Sequence, residues 1–369
     1  MRKDTRNSPI VLITALLGFA GGCALLGFLP LGQAQAELPV TPIPADPHGP
    51  VLGSIRVPAT PAERAAAFSL LERALQNSDM HMPGSPPFNL ELLFTAGGDG
   101  QYVGSGQLAE IWLSGQSWRW SASLGSFKQI QLGSRGTLYA EKSVPTPMRV
   151  HMLRNAIFWP VQYDSAAAVR TANVQWNGKP ATSILVSRVT GSNAATQSRL
   201  WEEIEYCIDN ATGQLQVYSI APGSYAVYSY GRNVQFHGRL MPDQLTYYVH
   251  GAEVIDAQIR ISDAEGVDPT SLGPTQQMIA AGPAVVLSGP QRIRMNAFDA
   301  AVTGAIKPVM VCAEINSDGK VLEVELLSAA DPALAQRALD LIRNRQFPAA
   351  QNIQRQAYIN VRFAPTSQP

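Results

Sequence analysis

The sequence predicts an α+β fold: a large curved antiparallel sheet, or half-barrel, with a packed helix, followed by a small β-β-α-β unit. Three observations support this. Between residues 88 and 261, apolar and polar residues alternate in short runs separated by turn signals, as in antiparallel strands. Residues 264–285 lack periodicity and carry Gly, Pro and Ser, which is typical of a linker. After the linker, two strand-like runs precede a helix and a last strand.

Residues 1–36 have the features of a secretory leader. Arg2, Lys3 and Arg6 precede an apolar run, and Ala34 and Ala36 form a small-x-small cleavage site. The apolar run approaches the length that spans a bilayer, so an uncleaved anchor is the alternative. In both cases the remainder lies outside the cytoplasm, and we predict a periplasmic protein, anchored to the inner membrane if the leader is retained.

The next segment is a proline-rich tether that leads into a helix. Residues 37–61 contain seven prolines, which favours an extended chain. Thr60 and Glu63 form a capping box, and Pro61 suits the first helical position. We predict that residues 62–263 form the half-barrel domain, with a second short helix at residues 147–158.

The last unit is predicted to cover residues 286–366. Strands at residues 307–315 and 320–327 flank an Asn-Ser-Asp-Gly hairpin turn. Asp331 caps the following helix, with Pro332 at its first position. A final strand completes the β-β-α-β order.

Composition excludes one class of partner. The chain has 28 basic and 28 acidic residues and therefore no net charge, which argues against a nucleic-acid partner. Its hydrophobic content of 46% is that of a globular protein. Beyond the leader, the cysteines are Cys207 and Cys312, each within a strand-like run. Two buried free thiols are therefore favoured over a disulfide between the domains.

The C-terminal pattern resembles a known family. The hairpin Asp318-Gly319-Lys320-Val321, the helix entry at residues 327–334 and the exit Gln346-Phe347-Pro348-Ala349 resemble the C-terminal domain of TonB-family energy transducers. The resemblance covers residues 286–366. The usual Y-P-x-x-A element is absent, and Asn-Ala-Phe-Asp-Ala-Ala stands at residues 296–301.

This resemblance implies a way of binding partners. Such domains pair an edge strand with an extended peptide of an outer-membrane receptor, and another envelope protein could be bound in the same way. The alternative is that the domain dimerises or docks elsewhere. The candidate edge strand consists of Ala357, Tyr358, Ile359, Asn360, Val361, Arg362 and Phe363.

Residues 62–263 more weakly resemble the lipoprotein-carrier (LolA/LolB-like) half-barrels of the periplasm. Shared features are a leading helix, strands rich in Phe, Leu and Trp, a short central helix and a hairpin running from Asp209 to Leu215. The resemblance implies an apolar concavity for a lipid or acyl ligand. The arginine on which the carriers depend has no clear counterpart. The candidate lining residues, which could alternatively be ordinary core, are Leu92, Phe94, Ile111, Trp118, Trp120, Ile130 and Leu132.

No catalytic or cofactor motif is found. A nucleophile elbow, phosphate loop, dinucleotide fingerprint and zinc spacing are all missing from the sequence, so we expect no enzyme, cofactor or metal. Met80-His81-Met82 could bind copper, but a loop after a helix is favoured. Among Glu202, Glu203 and Glu205, the last two share one face of a strand, which we predict to be solvated.

The predicted function is therefore a non-enzymatic cell-envelope protein, acting in periplasmic transport or envelope assembly. It combines a hydrophobe- or lipid-binding sheet domain with the TonB-like unit. The alternative is a structural adaptor of the periplasm or outer membrane that binds only proteins. A hydrolase is a third candidate, and it would need an acid, a base or a nucleophile converging in the concavity.

Overall fold

The computed structural model describes residues 41–42, 59–98, 100–142, 144–164, 167–187 and 203–366 of the 369-residue chain. The predicted leader and most of the predicted tether lie outside these ranges, so cleavage and anchoring stay predictions. None of the helices in the described ranges has the length and apolar character needed to cross a membrane.

The larger part of the chain forms one sheet of thirteen strands, here called the half-barrel sheet because it curls. All neighbouring strands are antiparallel except the first pair, β1 and β7. Their order across the sheet is β1-β7-β8-β9-β10-β11-β14-β15-β2-β3-β4-β5-β6. Strands β12 and β13 form a separate hairpin. In chain order the strands are β1 (Thr41–Pro42), β2 (Phe88–Ala96), β3 (Gly104–Ser114), β4 (Ser117–Leu124), β5 (Phe127–Ser134), β6 (Thr137–Ala140), β7 (Ala168–Trp176), β8 (Lys179–Ser187), β9 (Ile204–Asp209), β10 (Leu215–Ala221), β11 (Ser224–Ser229), β12 (Val234–Phe236), β13 (Arg239–Met241), β14 (Gln244–Val249) and β15 (Ala252–Asp263).

Two helices pack against this sheet. The first, α1 (Pro61–Ser78), begins with the predicted capping box, in which Thr60 and Glu63 satisfy each other's backbone amides. The second, α2 (Met148–Phe158), has every one of its residues buried. A helix buried on all sides must be covered by more than one layer. The second layer is the C-terminal sheet described below.

The predicted linker contains short helices. A 3-10 turn (Pro269–Leu272) is capped by Asp268, and α3 (Gln276–Ala281) is capped by Thr275. The 3-10 turn contacts β4, and α3 contacts β6. The segment therefore packs along the half-barrel sheet instead of spanning free space.

The C-terminal unit contains the predicted β-β-α-β order and two additional strands. Its elements are β16 (Val286–Leu287), β17 (Gln291–Phe298), β18 (Lys307–Ile315), β19 (Val321–Ala329), a 3-10 turn (Pro332–Leu334), α4 (Ala335–Arg343) and β20 (Ile353–Ala364). We call the sheet formed by β16 to β20 the C-terminal sheet.

The predicted edge strand is not at an edge. Residues 357–363 lie in β20, which pairs antiparallel with β18 on one side and parallel with β17 on the other. Its backbone groups are therefore occupied by the ladders on both sides. The prediction failed because Gln291–Phe298, which overlaps residues 296–301 where the family's upstream element would stand, forms a strand beside β20. In the described ranges the outer strands of this sheet are β16 and β17 on one side, both paired with β20, and β19 on the other.

The two faces of the C-terminal sheet have different neighbours. Val309, Val311 and Ile315 of β18 pack in a core with Ala338 and Ile342 of α4. On the opposite face, Met310 and Cys312 of β18, Leu327 of β19 and Tyr358 of β20 join the core of the half-barrel. The C-terminal sheet therefore covers α2 from the side opposite the half-barrel sheet.

Candidate functional site

The candidate site is the concave face of the half-barrel sheet, which is the face that packs against α2. Cross-strand pairs place Phe88 beside Trp112, Leu92 beside Leu108, and Trp112 beside Trp118 on this face. Four of the predicted lining residues lie on it: Leu92, Phe94, Trp118 and Trp120. Phe94 and Trp118 each lie over a glycine, Gly106 and Gly133, whose missing side chains leave room for the rings.

The other three predicted lining residues lie on the opposite face of the sheet. Ile111 pairs with Arg119, Ile130 with Ser121, and Leu132 with Tyr139. The physical reason is the strand alternation, because neighbouring residues point to opposite faces. The same register places six further residues on the concave face, and the sequence analysis did not predict them. They are Phe88, Leu90, Leu108, Trp112, Gln129 and Gln131.

The concavity is filled by α2. Phe158 is fully buried, and its ring stacks on His81 with a centroid distance of 4.4 Å. Ile157, Leu90 and Ile259 line a cavity of about 20 Å³, which has room for about one water molecule. The helix therefore occupies the concavity that the sequence analysis predicted as a site for an acyl ligand.

A larger cavity lies away from α2, at one end of strands β7 to β11. Its volume is about 300 Å³, and its walls include Trp176, Asp209, Gln214 and Tyr230. The walls are mixed in polarity, and the volume is at the lower limit for small-molecule sites.

A buried ion cluster joins α2 to the concave face. Glu110 accepts from Arg154 at 2.8 Å and lies 2.9 Å from the Nε2 atom of His81. The Arg154 guanidinium also lies over the Trp120 ring, 5.1 Å from its centroid. Burial alone would raise the pKa of Glu110, but Arg154 and His81 outweigh it, and the pKa is lowered. Glu110 is therefore held as a paired carboxylate.

Two residues of the Met80-His81-Met82 segment are buried or engaged at this cluster. A nitrogen of the His81 ring is engaged by Glu110, and Met80 is buried in the apolar core. The described residues contain no group of three or more His, Cys, Asp or Glu that could hold a metal.

The opposite side of α2 meets the C-terminal sheet through polar groups. Both Nη atoms of Arg149 donate to the Glu325 carboxylate at 2.5 Å. The backbone amide of Met148 donates to Glu323 at 3.2 Å, and Asn155 donates to Gln356 at 3.0 Å. These contacts connect the first two turns of the helix to β19 and β20.

His151 lies at the centre of this polar contact. Its Nδ1 atom is 2.7 Å from Glu314 Oε1, and its Nε2 atom is 2.8 Å from the Ser288 carbonyl oxygen. Gln354 donates to the same Glu314 oxygen at 2.7 Å, and also to the carbonyl of Thr146. The His151 and Glu314 side chains are both 0% exposed.

The polar contact is incompletely satisfied. Buried atoms of this contact without a protein hydrogen-bond partner are Asn155 Oδ1, Gln356 Nε2 and Glu314 Oε2. Each unsatisfied buried group costs roughly 1–3 kcal/mol. The contact of α2 with the C-terminal sheet is therefore weaker than its burial alone suggests.

The structure tests two predictions about side chains outside the concavity, one on the cysteines and one on the glutamates of β9 and the residue before it. Cys207 and Cys312 are free, buried thiols, as expected. The prediction of a solvated face for Glu203 and Glu205 is wrong, because each is only 1% exposed. Glu203 pairs with Arg170, and Glu205 accepts from Ser183 at 3.0 Å. Position 202 lies outside the described residues.

Comparisons with known proteins assign no family. No protein-family model matches the chain, and no curated protein matches it. A LolA-superfamily protein from Nitrosomonas europaea superposes with a TM-score of 0.36 and 10% identity, over 56% of this chain and 97% of that chain. The Pseudomonas aeruginosa MucA/MucB complex contains a similar chain, with a TM-score of 0.24 and 12% identity, over 57% of this chain and 62% of that chain.

These TM-scores are low, so neither likeness decides the fold or the function of this chain. None of the comparisons shows a TonB C-terminal domain.

Proposed function

We propose that this chain is a non-enzymatic binding protein of the cell envelope. Its concave face takes up an acyl chain or similar hydrophobe when the C-terminal sheet moves away and α2 loosens. The observation that carries the proposal is the difference between the two sides of α2. Apart from the Arg154–Glu110 ion pair and a hydrogen bond from Arg149 to the Gly97 carbonyl, the helix meets the half-barrel sheet through apolar side chains. It meets the C-terminal sheet through polar, incompletely satisfied groups.

The concave face has the chemistry that an acyl chain requires. Phe88, Leu90, Leu92 and Leu108 are at most 1% exposed and belong to one continuous apolar core. Burying about twelve methylenes contributes up to about 10 kcal/mol. Exposing two helix side chains such as Ile157 and Phe158 costs about 3–6 kcal/mol. A long acyl chain can therefore replace them.

The covering contact can open because water can replace its hydrogen bonds. Arg149, Glu325, Asn155 and Gln356 would all be solvated after separation, and their present bonds contribute little net free energy. Apolar contacts have no such replacement in water. Opening therefore exchanges the polar part of this contact for water, and its cost is the exposure of Met310, Cys312, Leu327 and Tyr358, which leave the shared apolar core.

The envelope location rests on the leader predicted at residues 1–36. N-terminal sequencing of the mature protein tests it. Glu37 at the terminus supports a soluble periplasmic protein, and a retained leader supports an inner-membrane anchor. A chain retained in the cytoplasm with its leader intact would contradict the location.

Uptake of a fluorescent fatty acid tests the binding function. Glu325→Ala leaves the buried Arg149 cation without its carboxylate, which destabilises the closed state by about 3–5 kcal/mol. We expect this variant to bind the probe at least about tenfold more tightly than the wild type. Asp340→Ala is the control, because it removes the partner of an exposed arginine, Arg343, away from α2.

One result would contradict the proposal that the concave face binds acyl chains. If neither the wild type nor Glu325→Ala takes up the probe, although both are folded by circular dichroism, the concave face does not bind acyl chains. Mass spectrometry of the purified protein should also then find no bound lipid.

A protein-binding adaptor is the second candidate, and the filling of the concavity by α2 favours it. An adaptor would keep α2 in place permanently and use its outer surfaces. Absence of probe uptake in both proteins would support this candidate.

A further inference from the structure

We propose that the cavity of about 300 Å³ at one end of strands β7 to β11 binds a neutral saccharide unit. We call it the outer cavity, and its walls include Trp176, Lys179, Asp209, Gln214 and Tyr230. This inference goes beyond the proposed function, because it assigns a second ligand of different chemistry to a second site.

The strand register places the outer cavity on the face of the half-barrel sheet opposite the concave face. Trp176 pairs with Lys179 across the β7–β8 hairpin, and Ala181 pairs with Asp209. Cross-strand partners point to the same face. Trp176 and Ala181 belong to an apolar cluster that is separate from the core around α2. The sheet itself therefore lies between the two sites.

Three buried side chains of the outer cavity have unused hydrogen-bonding groups. Trp176, Asp209 and Gln214 are 6%, 6% and 7% exposed. Trp176 Nε1 is buried without a protein partner. Within the described ranges, no group donates to Asp209 Oδ2, and the side-chain amide of Gln214 makes no hydrogen bond. Buried polar groups are normally satisfied, so this grouping points to a ligand that satisfies them.

Two tight turns hold the polar walls in place. Asn177 and Gly178 both have positive φ angles, 50° and 75°, as in the two-residue turns that favour hairpins. Asp209 Oδ1 accepts from the backbone amides of Ala211 and Thr212 at 2.9 and 2.8 Å, which closes the second turn. Because these groups are already ordered, binding costs little conformational entropy.

The charge of the walls favours an uncharged ligand. Lys179 and Asp209 are the charged residues among the described walls, and their charges cancel. The remaining polar walls include the amides of Asn177, Gln214 and Gln216. An amide both donates and accepts, and a carboxylate accepts from two directions. Sugar hydroxyl groups also donate and accept, and they lie on neighbouring carbons, so one sugar can engage several of these walls.

The aromatic walls supply the second requirement of a sugar site. The ring faces of Trp and Tyr pack against apolar C–H groups, and a sugar ring has such a face. Burial and, to a lesser degree, the charge of Asp209 raise the pKa of Tyr230, so its phenol stays neutral. Its hydroxyl already donates to the Leu215 carbonyl at 2.8 Å. The cavity volume corresponds to about ten water molecules, which is enough for one sugar ring with its hydroxyl groups.

Isothermal titration calorimetry of the full-length protein with a panel of neutral sugars tests the proposal. The panel consists of glucose, galactose, N-acetylglucosamine and its disaccharide chitobiose. We expect at least one of them to bind with a Kd of about 1 mM or lower. Tighter binding of the disaccharide than of its monosaccharide would indicate a unit of a polymer, and equal binding would indicate a free sugar. Either result supports the proposal.

Two variants test the position of the site. Gln214→Met keeps the length of the side chain and removes its amide, and Asp209→Asn keeps an acceptor for the turn but replaces the second carboxylate oxygen with a donor. Each should weaken sugar binding about tenfold or more. Gln258→Met is the matched control, because Gln258 is exposed on β15 outside the cavity. Circular dichroism verifies that all three variants fold.

Three results would overturn the proposal. The first is that no sugar of the panel binds the wild type at millimolar concentration. The second is that both folded cavity variants bind the sugar as tightly as Gln258→Met does. The third is that alanine, a zwitterion that could pair with Asp209 and Lys179, binds in place of the sugars. None of these measurements uses a fatty acid. Sugar binding by a protein that takes up no acyl probe would therefore refute the acyl-binding function alone.

Discussion

The two sides of α2 are equally buried but differ in chemistry. Ile157 and Phe158 lie against the apolar concave face, whereas His151 and Asn155 lie against polar side chains of the C-terminal sheet. Burial alone therefore does not identify the permanent contact. Separation of the apolar side exposes hydrocarbon to water, whereas separation of the polar side exchanges one set of hydrogen bonds for another.

The largest expected effect comes from the apolar side. Phe158→Ala removes a fully buried ring that stacks on His81 and lies 6.5 Å from the Phe88 ring, and should lower the free energy of unfolding by about 3–5 kcal/mol. Urea unfolding followed by circular dichroism measures this loss. Phe158→Leu is the matched variant and should cost clearly less. Alkylation of the free, fully buried thiol of Cys312 by a maleimide reports exposure of the core under the C-terminal sheet. If Phe158→Ala sped up this alkylation but left the free energy of unfolding unchanged, the two sides of the helix would not differ as described.

An intermediate effect is expected on the polar side. Asn155→Ala removes the donor to Gln356 and should weaken closure by about 1–3 kcal/mol. Cys312 should then be alkylated faster, while the urea midpoint of the half-barrel stays near that of the wild type. A loss of stability comparable with that of Phe158→Ala would instead show that the polar side is also permanent.

The smallest expected effect concerns Glu323. Burial raises the pKa of this carboxyl group, whose oxygen accepts from the Met148 amide. A carboxyl group with a raised pKa binds its proton more readily in the closed state, so it favours closure at acidic pH and opposes closure as pH rises through that pKa. Glu323→Gln keeps the acceptor and removes the charge. Slightly slower Cys312 alkylation at neutral pH is expected, and faster alkylation would contradict this sign.

Local patterns in the sequence predicted most elements but not the covering of α2. The capping box of α1, the alternation of β2 and the β18–β19 hairpin are local signals, and each is present in the structure. On β20, Gln354 and Gln356 flank Arg355, and such a polar stretch is typical of the solvated part of a strand. Both glutamines are nevertheless buried, because polar groups of α2 and Thr146 meet them. A strand's own sequence does not show whether its polar face meets water or polar side chains.

The errors in the lining residues have a different origin. Ile130 and Leu132 are apolar, yet the β4–β5 register places the polar Gln129 and Gln131 on the concave face instead. Gln131 is buried there because it accepts from the Trp120 indole at 3.2 Å. The sequence contained the signal needed to find this, since following each hairpin residue by residue assigns the faces correctly.

The pairing of β15 with β2 also has a consequence for biosynthesis. It joins residues 252–263 to residues 88–96, so β2 cannot gain its second neighbour until the chain beyond it has been made. Sheets that depend on such distant pairings fold slowly, on the order of milliseconds to seconds. During that interval β2 presents an unpaired edge, which is a template for aggregation. We expect the nascent protein to need protection at this edge until β15 emerges.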